Sequence, residues 1–314
     1  MATMNPDCIV LAGGSGDLGG RIAAALTERG AQVRALVRSE TSSAKRAALA
    51  AFGVQVVVVD DQDSAALTDA CRGASCVVSA LNGLRPTIIA TQGRLLDAAI
   101  AAGVPRFIPS DFCLDFTRTR PGGNRNMDLR REFMTRIDHT EIRATSILNG
   151  AFADLLAGQA PIVLNKQRKI LYWGSADQAL DFTTKDNVAR YTAAAALDAS
   201  APRYLRIAGA VATPRSLAET MTALTGKRFG LWRAGSLGML SAIIRIAKTL
   251  APQRESVFPV WQGMQYLRDM ASGDGKLQQL DNDRYGDMHW TSARDVLAHS
   301  ASETVAPAAV TRVA

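Results

Sequence analysis

Short apolar runs closed by turns alternate with stretches that place apolar residues at i, i+3 and i+4 along the first 150 positions. The runs, about five residues each, suit strands buried on both faces, and the stretches suit helices with one buried face. The pattern predicts strands at 8–12, 31–37, 54–59, 75–81, 105–110 and 143–148. Between them it predicts helices at 17–29 (ended by Gly30), 42–52 (ended by Gly53), 63–73, 87–103 and 127–138. Strand and helix repeating in this order give a parallel sheet with right-handed crossovers.

The rhythm is lost after residue 150, although helices are predicted at 184–198, 213–226 and 237–252. The last is amphipathic and walls a pocket, pairs subunits, touches a membrane surface or simply has one wet face. Aromatic usage shifts at the same place: every Trp and Tyr follows residue 150. Residues 1–150 therefore read as a dinucleotide-type domain and 151–300 as a smaller, irregular substrate region. Its aromatics either wall a ligand or fill an irregular core. Residues 301–314 read as a loose tail. Strands near 168–174 and 203–209 are candidates to complete the first sheet. The fold class is α/β, a Rossmann-type doubly wound parallel sheet with a smaller C-terminal region.

The charge balance of +7 narrows the partners. The one basic cluster, Arg118 to Arg136, is interleaved with Asp115, Asp128, Glu132 and Asp138. It is not the basic stripe of a nucleic-acid binder, and it suits an anionic small ligand as well. The four cysteines form no CxxC pair and the three histidines lie far apart, so neither a disulfide framework nor a metal site is expected. The start is not signal-like, and no apolar run reaches the roughly 20 residues of a spanning helix. These features point to a cytoplasmic, reduced, soluble protein, monomeric or homodimeric, with a small-molecule partner and no nucleic acid or membrane.

The chemistry starts in the loop after the first strand. Gly14-Ser15-Gly16-Asp17-Leu18-Gly19 satisfies G-x-G-x-x-G, and Gly13, Gly16 and Gly19 satisfy G-x-x-G-x-x-G. A buried strand before and an apolar-faced helix after make this a dinucleotide loop: glycines leave room for a pyrophosphate, which the helix N–H groups then face. The second strand ends in Arg38 where an NAD binder usually places an acid. A guanidinium suits a 2′-phosphate, so NADP(H) is the expected cofactor, with Lys45 adding charge and Glu40 competing for Arg38. After the third strand, Asp60 or Asp61 either meets the adenine edge or caps a helix. Ala80 and Leu81, after the fourth, are expected beneath the cofactor.

The segments "VLAGGSGDLGGRI…RALVR", "ASCVVSALNG", "AAGVPRFIPSDF" and "ATSILNGAF" resemble the NmrA-like and isoflavone-reductase-like branch of the atypical short-chain dehydrogenases. The resemblance covers residues 8–225 and implies either an NADPH-dependent reductase of aromatic or phenylpropanoid substrates or a cofactor sensor. It implies one Lys on the helix before "ATSIL". Here that helix reads "NMDLRREFMTR", and the matching position falls at Arg130, Arg131 or Glu132. Tyr-x-x-x-Lys is absent as well.

Arg stays charged where Lys exchanges a proton. Arg131 is therefore the candidate to polarise a carbonyl, with Asp111 or water as proton source. Ser110, Phe112, Asn149 and Phe152 complete the expected pocket, and Gln92 faces either the cofactor or solvent. The loop 113–126 is a candidate lid. The expected function is NADPH-dependent reduction of an aromatic or conjugated small molecule, the alternative a non-catalytic NADP(H) sensor.

Overall fold

The computed structural model describes residues 8–305, with side chains described through 299. The first half alternates as the apolar pattern predicts: β1 (Cys8–Ala12), α1 (Asp17–Glu28), β2 (Gln32–Val37), α2 (Ser43–Ala51), β3 (Gln55–Val58), α3 (Ser64–Cys71), β4 (Cys76–Ser79), α4 (Gln92–Ala101), β5 (Arg106–Ile108), α5 (Arg125–Asp138) and β6 (Arg143–Ala144). These six strands form one parallel sheet in the order β3-β2-β1-β4-β5-β6. The order reverses between β1 and β4, the switch point outside whose carboxyl ends such sheets bind ligands.

Residues of β1 and β4 are buried on both faces, which is why their sequences are unbroken apolar runs. Ile9 and Leu11 join a core with α1 on one face, while Cys8 and Val10 join a core with α3, α4 and α5 on the other. β3 is the exception to the expected double burial. It lies at the sheet edge, and Val58 is 51% exposed.

The strand expected over 143–148 changes partner in its middle. Thr145 N–H still donates to Phe107 O at 3.0 Å, but Ser146 N–H donates to Arg203 O at 2.8 Å. Its second piece, β7 (Ser146–Leu148), is separate for that reason. After it come β8 (Ala151–Phe152), β9 (Val163–Leu164), β10 (Lys169–Trp173), β11 (Leu180–Thr183), α6 (Lys185–Leu197), β12 (Tyr204–Arg206), β13 (Ala210–Ala212), α7 (Pro214–Thr225), β14 (Gly230–Gly235), α8 (Leu237–Leu250), α9 (Val260–Ser272) and α10 (Ala293–Val305).

Of the two strands considered for the first sheet, β12 lies parallel to β7 beside it. β10 pairs with β9 and β14 instead, because its partners lie in the second region. Val188, Tyr191, Leu205 and Ile207 are buried in the same core as Ile9 and Leu11. Residues of α6 and β12 therefore pack with the first 150 residues. α10 carries the chain into the stretch read as a tail, and 306–314 lie outside the described residues.

Some of the aromatics of the second half fill the core. Tyr191 on α6 packs edge-on against Tyr285 and tilted against Trp290, with centroids 4.9 and 5.9 Å away, as core filling. Phe258 and Tyr266 meet near α5. Among the described residues no helix is long and apolar enough to cross a membrane. All four cysteines are free and buried, and burial pushes the Cys113 thiol up to about 12. Such a thiol is an inert filler rather than a nucleophile.

Candidate active site

Two glycines of the loop after β1 are required by close approach. A Cβ on Gly19 would stand 2.1 Å from Gly13 O and 2.9 Å from Gly14 Cα. Gly13 has φ +82°, and a Cβ there would stand 2.6 Å from Ala80 O. Gly14 and Gly16 are less constrained: a Cβ on Gly16 would meet only Gly13 O, at 3.3 Å. Gly16 caps α1 without a side-chain hydrogen bond, and Leu18 turns into the core. Ser15 and Asp17 stand at the loop surface. The first turn of α1 thus carries a bare, narrow cradle that a side chain would fill, and this fits a dinucleotide pyrophosphate.

The β4 end closes the cradle's other side. Ala80 N–H donates to Ala12 O at 2.8 Å, and Leu81 O accepts the Ser110 hydroxyl at 2.5 Å. Ser110 is a brace rather than a free pocket hydroxyl, since its N–H also donates to Gln92 Oε1 at 2.9 Å. Gln92 is fully buried, which resolves its two expected positions in favour of neither. It faces the protein interior and ties α4 to β5.

Arg38 follows β2 directly and is 73% exposed, paired with Glu40 at 3.1 Å. Lys45 is exposed in the first turn of α2. Asp61 is committed elsewhere. Its carboxylate accepts from Thr91 Oγ1 and Arg94 Nη2, each at 2.6 Å, which hold it below the usual carboxylate range, Thr91 foremost. Through Oδ2 it clamps the β3 end to α4, while Oδ1 accepts from Gln62 Nε2 at 3.4 Å.

The helix α5 places its three candidates in three different surroundings. Arg131 Nη1 pairs with Asp128 at 2.6 Å, and Nη2 donates to Phe116 O, Thr119 O and Thr119 Oγ1 at 2.6–2.9 Å. It is a brace for the loop 113–126, not a free catalytic cation. That loop is no open lid either: Phe116 and Asn124 are buried, and Asp115 pairs with Arg206 at 2.8 Å. Glu132 is exposed and held by both terminal nitrogens of Arg85. Arg130 is the buried one. Its Nη1 donates to Asn126 O at 3.0 Å, its Nε has no partner, and it is among the charges felt by Asp111 and Tyr266.

Asp111 is 1% exposed at the β5 end. Oδ2 accepts the Ser146 hydroxyl at 2.7 Å, Ser146 Oγ in turn accepts Arg203 Nη1 at 2.7 Å, and Oδ1 has no partner. Burial raises its pKa, opposed by Ser146, Arg130 and Arg203. A raised value means that the folded form keeps a proton the unfolded chain releases above about pH 4. The contribution of Asp111 to stability therefore falls as pH rises from there. Asp111→Asn, which cannot ionise, is expected to gain stability over the parent between about pH 4 and pH 7. Thermal melts of both at several pH values check this, and a pH-independent difference would contradict it.

Asn149 is fully buried after β7, with its N–H on Cys113 O at 3.0 Å and its Oδ1 unpartnered. Phe112 does not reach an open pocket: it is 6% exposed and packs into the core between the sheet and α6. Phe152 is half-buried against the same core. Buried polar atoms normally find partners. Here Ser79 Oγ, Asp111 Oδ1, Arg130 Nε and Asn149 Oδ1 do not, and their residues lie at the carboxyl ends of β4, β5 and β7 and on α5. Sequence reading passed over Ser79, Ser146 and Tyr266. Burial pushes the Tyr266 phenol up to about 12.

A profile of the NmrA-like family matches residues 5–251. The isoflavone reductase homolog IRL of Zea mays is 32% identical over 239 residues, which cover 70% of this chain and 75% of that protein. Pinoresinol reductase 2 of Arabidopsis thaliana is 29% identical over 239 residues, covering 70% and 74%. Among solved structures, AtPrR2 with NADP+ and (+)-pinoresinol superposes with a TM-score of 0.79 at 24% identity, covering 94% of this chain and 98% of that one. An NADPH-dependent quinone oxidoreductase from Escherichia coli superposes with a TM-score of 0.71 at 22% identity, covering 93% and 98%. With the glycine cradle, the 3-2-1-4-5-6 sheet and a family match over most of its length, the chain belongs to the NmrA-like family.

Proposed function

We propose that the chain is an NADP-dependent oxidoreductase that reduces an aromatic or conjugated small molecule. The observation that carries this reading is the group of buried, unpartnered polar atoms of Ser79, Asp111 and Asn149, at or after the carboxyl ends of β4, β5 and β7, and of Arg130 on α5. Their desolvation without partners is costly unless a ligand completes them. The family's reductases support the same reading: the relatives above are named for the reduction of isoflavone-type and pinoresinol substrates.

Gly13, Gly14, Gly16 and Gly19 would leave room for the pyrophosphate at the α1 N-terminus. Arg38 and Lys45 would receive the 2′-phosphate. The Arg38–Glu40 pair is exposed, so giving it up costs little, and a phosphate is a stronger acceptor. When bound, NADPH supplies hydride. Arg130 then opposes the charge that develops on the substrate oxygen, and Asp111, whose pKa is raised by burial, donates the proton. Tyr266 and Phe258, whose rings meet near α5, would offer an aromatic substrate a wall.

NADPH oxidation with a panel of aromatic ketones, enones and quinones tests the activity. Turnover of at least one class is expected, and cofactor binding without turnover on any of them would be the behaviour of a sensor. Arg38→Ala is expected to weaken NADPH about tenfold and leave NADH unchanged. Equal NADPH affinity in parent and variant would remove Arg38 from the site.

A further inference from the structure

We propose that Lys185 neutralises Asp17 at the mouth of the glycine loop and so sets the loop's affinity for a dinucleotide pyrophosphate, an inference that rests on the cofactor reading above. Asp17 is the first residue of α1. A carboxylate there suits the helix dipole but repels a second anion at the same N–H groups. Both of its oxygens carry a cation. Arg21 Nε lies 2.8 Å from Oδ1, and Lys185 Nζ lies 2.8 Å from Oδ2. Together they hold the Asp17 carboxyl below its usual range, Lys185 first and Arg21 second.

The two cations differ in origin. Arg21 stands one turn along the same helix, is 42% exposed and also holds Asp186 at 2.5 Å. Lys185 comes from α6, is 24% exposed and also reaches Asp154 at 3.1 Å, in the turn that follows Phe152. One ammonium thus joins the glycine loop, α6 and the substrate-side turn. Its placement works against its own helix: Lys185 is the first residue of α6, where the dipole disfavours a cation. Such a local conflict marks a position kept for a tertiary reason. The backbone there is rigid, since Thr184 Oγ1 accepts Asn187 N–H at 3.3 Å and Asn187 Nδ2 donates to His289 O at 2.7 Å.

Titration of the full-length protein with NADPH and with NADH, read by nicotinamide fluorescence, tests the proposal. Lys185→Ala is expected to weaken both dinucleotides about five- to tenfold, equally, because they share the pyrophosphate. Lys185→Arg is expected to bind as the parent does. Asp17→Asn alone is expected to bind at least as tightly as the parent, and Asp17→Asn added to Lys185→Ala to restore most of the loss. Thermal melts of the free proteins separate this from a structural role, which Asp17→Asn would not rescue. Unchanged affinity in Lys185→Ala, a loss confined to NADPH, or no rescue by Asp17→Asn overturns the proposal and leaves the cofactor reading intact. If the parent binds neither dinucleotide, the cofactor reading falls and this inference with it.

Discussion

Gly19→Ala is expected to lose dinucleotide binding by more than about a hundredfold, while Gly20→Ala, one residue on, keeps it. The added methyl at Gly19 would stand 2.1 Å from Gly13 O and 2.7 Å from Gly13 C, atoms of the backbone that cannot rotate away. The loop must shift to admit it, and the shift moves the N–H groups that face the pyrophosphate. Forced overpacking of this kind costs about 1–3 kcal/mol of stability as well. At Gly20 the nearest atom, Gly14 O, is 3.5 Å away, an ordinary contact. Replacing a helical glycine there is expected to stabilise the protein by up to about 1 kcal/mol. Cofactor titration and thermal melts of the two variants check the pair. Undiminished binding in Gly19→Ala would mean that the cradle is not the pyrophosphate site.

The second large effect separates neighbouring arginines. Arg130→Met is expected to lower kcat about 10²- to 10³-fold with cofactor affinity kept, the loss typical of one transition-state charge partner. Arg131→Ala is expected to act on the fold instead. It removes donors from Phe116 O, Thr119 O and Thr119 Oγ1 and the ion pair to Asp128, a loss of about 2–3 kcal/mol for a charged, part-buried donor. In a chain this long that lowers the melting temperature by roughly 3–5 °C. Steady-state kinetics and melts on both variants decide. If Arg131→Ala melts like the parent and loses turnover while Arg130→Met keeps it, the two roles are the reverse of those assigned.

That arginine pair shows where sequence reading falls short. An α-helix turns about 100° per residue, so a one-residue alignment choice points the side chain at a different neighbour. The helix's own pattern held the answer. Met127, Arg130, Phe133 and Ile137 recur at spacings of three and four and, with Asn126 and Leu129 beside them, are the residues α5 buries, whereas Arg131 lies off that stripe. Gln92 obeys the same rule, four residues after buried Ile88 and three before buried Leu95. A polar residue in phase with a buried stripe is the signal for an interior role. By contrast, nothing near Asp61 announces Arg94 as its partner, and nothing near Asp17 announces Lys185.

The sequence by itself determined the elements of the first half, their parallel pairing and the cofactor loop. These depend on neighbours in the chain: strand burial shows as an unbroken apolar run, and Gly13 to Gly19 join one strand directly to the next helix. The tertiary structure alone decided which charged groups are free to act. Arg131 and Asp61 are consumed by partners from other elements, Asp111 and Arg130 are buried with unpartnered atoms, and Lys185 meets Asp17 across the α1–α6 contact. A charged group's chemistry is set by what surrounds it in space, through desolvation and nearby charge, and those surroundings come from segments far apart in the chain.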